Sequence, residues 1–198
     1  MIKTDRLVLR QWKETDYLPF VKMGLDPDVM RYFYELLTPQ KSLEMAKKIH
    51  ELIQQNGWGF WAVELKETGE FIGFIGLHSQ PTLFELSPCI EIGWRISKKF
   101  WRRGYAFEGA RAALKYGFEE LNAKKIVAFT ACQNQPSEQL MMRLGMTKVM
   151  EFIHPELPTG NIYEKHVLYE LDKHSFNHFF SIKVCICQYF IFPFAKGR

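Results

Sequence analysis

Six residues near the middle of the chain, Trp101-Arg102-Arg103-Gly104-Tyr105-Ala106, bring together the groups that hold a phosphate. They fall between a strand pattern and a helix pattern. At such a helix start, backbone N–H groups lack internal partners and the helix dipole favours an anion. Gly104 lets the backbone approach closely, Ala106 adds little bulk, and Arg102 and Arg103 supply donors suited to phosphate oxygens. An ordinary solvated helix start would use the same residues. Gly104 to Gly109 also fits a relaxed G-x-G-x-x-G. A dinucleotide site wants an acid about 20 residues on, at the end of the next strand. That strand ends Phe129-Thr130-Ala131-Cys132, and Glu119 and Glu120 fall inside the helix. The dinucleotide reading is therefore the weaker one. Cys132 could be a nucleophile, but no base stands beside it in sequence, and it reads as inert core.

The elements that must position this turn follow from periodicity. Arg6 to Arg10 alternates as a strand, and Glu14 to Leu25 reads as a helix. Thr38-Pro39 opens a second helix, with Leu43, Ala46, Ile49 and Ile53 on one face, which Asn56-Gly57 stops. Trp58–Leu65 and Phe71–Ser79 form a hairpin around Lys66 to Glu70. Pro88 to Ser97 is a strand with Ile90, Ile92, Trp94 and Ile96 on one side and Glu91, Gly93 and Arg95 on the other. A helix follows the turn, then a strand over Lys125–Ala131. A short helix with Ser137 as its expected N-cap comes next. Met146–Phe152 and Ile162–Leu171 are late strands. The order implies a mixed α+β sheet.

Composition narrows the class. The 198 residues are 47% hydrophobic and 24% charged, which fits a globular domain. Three of the four net positive charges fall in residues 174–198, so the main body is nearly neutral and has no broad footprint for nucleic acid. No apolar run is long enough to span a membrane, and the first residues lack a signal-peptide core. Cys89, Cys132, Cys185 and Cys187 match neither a disulfide framework nor a zinc pattern. A cytoplasmic protein without metal is expected.

Ile90 to Ile96, Trp101 to Ala110, Asn134-Gln135-Pro136-Ser137 and Leu144-Gly145-Met146 stand in an order and spacing that resembles the GNAT-fold N-acetyltransferases. The branch they most resemble is the ribosomal-protein N-terminal acetyltransferases, the Rim-like enzymes. Thr4 to Arg10 and His166 to Tyr169 resemble that branch too. The wider family opens its phosphate turn with Gln or Arg. Trp101 stands there, as the branch tolerates.

The resemblance implies about seven strands splayed between the fourth (88–97) and the fifth (125–131), flanked by about four helices. Acetyl-CoA would lie in the opening. Its pantetheine arm would meet the backbone of Trp94, Arg95 and Ile96. Its pyrophosphate would rest on Arg102, Arg103, Gly104, Tyr105 and Ala106, and Asn134 would be a further ligand. Glu91 is the candidate general base and Ser137 the candidate acid toward the departing thiolate. Many relatives place a tyrosine acid where Met141 stands, so either Ser137 or water must act. The acceptor would be a protein N-terminus or a small amine, attacked directly in a ternary complex by a monomer or homodimer. A nucleotide- or CoA-binding module without transferase activity is the alternative. His154, or His78 with Glu85, could line the acceptor mouth; Trp58, Phe60 and Trp61 could wall a channel or fill the core. Residues 1–173 would form the catalytic domain. Residues 174–198 would be a hydrophobic, basic extension dispensable for fold and CoA binding.

Overall fold

A computed structural model describes residues 1–82 and 87–180. Glu85 and the apolar stretch 182–194, with Cys185 and Cys187, lie outside the described residues. In chain order the elements are β1 (Ile2–Lys3), β2 (Leu7–Arg10), α1 (Glu14–Leu25), α2 (Pro39–Asn56), β3 (Phe60–Leu65), β4 (Phe71–Gln80) and β5 (Cys89–Ile96). After a short 3-10 turn at Lys98–Phe100 come α3 (Tyr105–Glu119), β6 (Lys125–Ala131), α4 (Gln135–Arg143), β7 (Thr147–Ile153) and β8 (Lys165–Asp172).

The strands form one mixed sheet in the order β1-β2-β3-β4-β5-β6-β8-β7. It has eight strands rather than seven, because β1 is a two-residue strand too short to leave a periodic signal. The splay falls between the two expected segments, which are now the fifth and sixth strands. β5 and β6 run parallel and pair only at Ile90 with Ile126 and Glu91 with Val127. Beyond that point they diverge toward their C-terminal ends. Such a crevice at the carboxyl ends of parallel strands is where open sheets take ligands.

Helices cover both faces. α3 packs on β2, β4 and β5 while α1 and α2 lie over β4 and β3. Gly109 makes the α3 contact close: a Cβ there would sit 2.5 Å from Ile75 Cδ1. Trp61, Ile72, Ile75, Leu77, Ile92, Leu114 and Phe118 form the fully buried centre. On the other face Arg10 binds Asp16 through Nη1 at 2.7 Å and Nη2 at 3.0 Å, and Glu64 through Nε at 2.7 Å. This ties β2 and β3 to the start of α1.

The chain remains on the body after β8. Residues 173–180 are helical, and Phe176 is buried with its ring 5.1 Å from Phe118 of α3. A boundary drawn at Lys173 cuts through this contact.

Candidate active site

The crevice between β5 and β6 opens into a cavity of about 870 Å³. Glu91, Trp94, Arg95, Ile96, Arg102, Gly104, Tyr105, Ala106, Asn134 and Ser137 all lie on its wall. Residues nearly fifty positions apart in sequence thus converge. Arg103 does not line the cavity. It sits on the outer side of the turn, where its carbonyl accepts from Arg6 Nη1 at 3.0 Å.

The turn is built as its composition demands. Arg102 (φ 60°) and Gly104 (φ 80°) both have left-handed backbones. Gly104 caps α3, whose first internal bond runs from Glu108 N to the Gly104 carbonyl at 3.0 Å. The N–H groups of Arg102 to Ala106 therefore find no backbone carbonyl among the described residues. Trp101 serves the turn locally. Its indole Nε1 donates to the Ile96 carbonyl at 2.6 Å, fastening the turn to the end of β5. A second brace comes from the N-terminus. Glu108 accepts from Thr4 Oγ1 at 2.6 Å, from Arg6 N at 2.8 Å and from Arg6 Nε at 2.7 Å. Burial would raise the Glu108 pKa, but these hydrogen bonds and the Arg6 charge hold it below its ordinary value. The Arg6 guanidinium also lies 4.6 Å over the Tyr105 ring.

Glu91 sits where β5 and β6 part, on the face away from α3, reachable from the cavity. Burial raises its pKa to about 7, against the opposing hydrogen bond from Gln80 Nε2 at 2.6 Å. His78 stands directly opposite on β4, its ring stacked 5.5 Å from Phe60. Phe60 lines the cavity, while Trp61 points to the other face, buried 5.1 Å from Tyr116.

On the α4 side, Asn134 rather than Ser137 is the N-cap. Its Oδ1 accepts from Ser137 N at 3.3 Å, and its Nδ2 donates to Thr130 Oγ1 at 2.8 Å. The expectation of a Ser137 cap is corrected: proline at the second helical position allows the helix to start earlier. The Ser137 hydroxyl is thereby freed of capping and lies 3.4 Å from Trp94 Nε1 at the cavity wall. Met141, almost fully buried, also lines the cavity and offers no proton. The Cys132 thiol is raised by burial and is not on the wall.

Sequence reasoning missed three parts of the cavity. Arg143 of α4 lies on its wall, 4.9 Å over the Phe107 ring, and makes no ion pair with the described residues. His166 of β8 joins His154 at 4.7 Å between rings, with Phe129 beside both. Burial first, then His154, brings the His166 pKa down to about 4, and burial lowers His154 as well. The segment between α1 and α2 closes the near side, where Tyr32 meets Tyr163 at 6.5 Å. The sequence shows only a lone loop histidine; its partner arrives by strand pairing.

A crevice between parallel strands, a turn with unpaired backbone N–H groups and a half-buried carboxylate at the crevice end line one cavity. A family model described as an acetyltransferase (GNAT) domain matches residues 6–147, and the chain belongs to that family. These are enzymes that move the acetyl group of acetyl-CoA to an amine. The protein YkkB of Bacillus subtilis (strain 168) is 34% identical over 144 residues, 72% of this chain and 83% of its own. FsC-acetyl coenzyme A-N(2)-transacetylase of Aspergillus fumigatus is 32% identical over 161 residues, 77% of this chain and 68% of its own. A solved GNAT-family acetyltransferase from Bacillus anthracis aligns with a TM-score of 0.73 at 27% identity, covering 87% of this chain and 98% of that one.

Proposed function

We propose that this acetyltransferase carries out direct transfer to a primary amine, with Glu91 as base and Ser137 as acid. The observation that carries the proposal is the position of Glu91, at the closed end of the β5–β6 crevice with its pKa near neutrality. A base poised near the working pH takes a proton most effectively. Beyond Glu91 the β6-facing edge of β5 has no strand partner among the described residues, which suits an extended pantetheine arm. The N–H groups of Arg102 to Ala106 would hold the pyrophosphate. The Arg102 and Arg143 side chains would add charge, and Trp94 and Asn134 would line the arm.

In the reaction, Glu91 takes a proton from the acceptor ammonium, directly or through water. The amine nitrogen attacks the thioester carbonyl and forms the C–N bond. The tetrahedral intermediate collapses, the C–S bond breaks and the nitrogen gives up its second proton to water; the thiolate takes a proton from Ser137, which regains one from that water. The acceptor is a peptide α-amine or a small amine. An α-amine titrates near ~8 and a lysine side chain near ~10.4, so a base of this strength suits the former. The free thiols of Cys89 and Cys132 fit a cytoplasmic setting.

Thermal melts with acetyl-CoA, CoA, NAD and NADP test the donor, since a ligand held by the native state raises the melting temperature. Acetyl-CoA and CoA are expected to stabilise and the dinucleotides are not. Thiol release across a peptide and amine panel tests the transfer. Intersecting initial-velocity lines are expected, whereas parallel lines would indicate a covalent acetyl-enzyme.

A further inference from the structure

The backbone of Arg95 is expected to meet the pantetheine arm, but its side chain, on the cavity wall, has no role in acetyl transfer as proposed above. It shares a face of β5 with Glu91, with Gly93 between them. The residue is 7% exposed, and its guanidinium lies 4.4 Å over the Phe33 ring, 5.5 Å from Phe74 and 5.7 Å from Phe20. Its Nε and Nη1 are sealed from solvent and meet no hydrogen-bond acceptor among the described residues. Aromatic faces attract a cation but satisfy none of its N–H groups in the plane.

No acid on the cavity wall answers this charge. Asp28 is bound to Arg31 and Lys98, Glu35 to Lys41, and Glu91 accepts from Gln80. Burial lowers the Arg95 pKa only to about 10, so it remains a cation at neutral pH. A buried charge without a counter-charge is costly unless a ligand completes it. Phe33 covers the guanidinium from the segment between α1 and α2, is itself 42% exposed, and lines the cavity together with Arg95.

We propose that Arg95 holds an anionic group of the acceptor, so that the enzyme acetylates amines that also carry a carboxylate at some distance from the nitrogen. The inference rests on the acetyl-transfer reading above. Four residues of strand separate Arg95 from Glu91, on the order of 13 Å between Cα atoms. The amine and carboxylate are then several bonds apart, as in a di- or tripeptide or an ω-amino acid, and not adjacent as in an α-amino acid.

The test compares trialanine with trialanine amide, which share the α-amine and differ in the carboxylate. Calorimetric binding to the CoA-loaded wild-type enzyme is expected to favour the free acid by 10-fold or more. The same preference is expected in KM. Arg95→Gln is expected to bring the ratio near one, and Arg95→Lys to restore part of it. Equal affinity of acid and amide for the wild-type enzyme overturns the proposal, and this needs no variant to fold. Thiol release is read separately. Preferential binding of the acid without thiol release would refute acetyl transfer to the peptide α-amine while leaving the carboxylate site standing.

Discussion

A carboxylic acid enclosed by protein, with only an amide to bond it, keeps its proton longer than one in water. Glu91 is in that position, and the same burial that suits it to take a proton costs stability once it ionises. Its folded pKa of about 7 lies above its ordinary 4.5. The stability contributed by the protonated form is complete below the ordinary pKa and is lost as pH rises through the folded one. Glu91→Gln mimics the protonated form. The variant should melt higher than the wild type at pH 8, by up to about 3 kcal/mol, with the gap closing toward pH 4.5. Its kcat/KM should fall and lose the rising limb centred near pH 7; a retained limb would remove Glu91 from the role of base. Ser137→Ala should lower kcat by about 10²-fold if the hydroxyl protonates the thiolate. Near-normal turnover would assign that proton to water. Glu91 and Ser137 were both legible as residues of the right type. The freedom of the Ser137 hydroxyl was not, because it depends on Asn134 taking the cap.

At the scale of elements, the Trp101–Ala106 turn, proposed to hold the pyrophosphate, is fastened at three points: Trp101 to the end of β5, Arg6 to the Arg103 carbonyl, and Glu108 to Thr4 and Arg6. Its shape depends on Gly104 at φ 80°. A Cβ there would meet only Arg6 Nη2, at 3.4 Å, so the backbone angle and not space is the obstacle. Gly104→Ala should cost about 1 kcal/mol in the bound conformation. The expected readout is a several-fold rise in KM for acetyl-CoA, with kcat at saturation little changed. A fall in kcat alone would show that the turn acts on the chemistry. The glycine, the arginines and the helix start were visible in sequence. The braces were not, since Thr4 and Arg6 lie about a hundred residues from Glu108.

At the scale of the molecule, residues 173–180 add an aromatic contact to Phe118, a core residue of α3. Phe176 is 6% exposed there, and loss of a buried phenylalanine typically costs about 3–5 kcal/mol. A chain ended at Lys173 should keep its sheet and its acetyl-CoA binding but melt well below the full chain. One ended at Phe180 should recover most of the loss. Equal melting of the two shortened chains would show that the contact adds nothing.

The elements, the α+β class, the crevice strands and the turn could all be read along the chain, because periodicity, turn residues and helix starts are set by near neighbours. The roles of Glu91, Ser137 and Asn134 came from the resemblance of the motifs that hold them, since periodicity alone reads them as a strand glutamate and turn residues. Which groups face one another across the crevice came from long-range packing alone. The pairing of β7 with β8 sets His166 beside His154, and the α1–α2 segment lays Phe33 over Arg95. Burial without a counter-charge, which singles out Arg95, is a property of surroundings drawn from α1, β4 and that segment. No local stretch of sequence contains it.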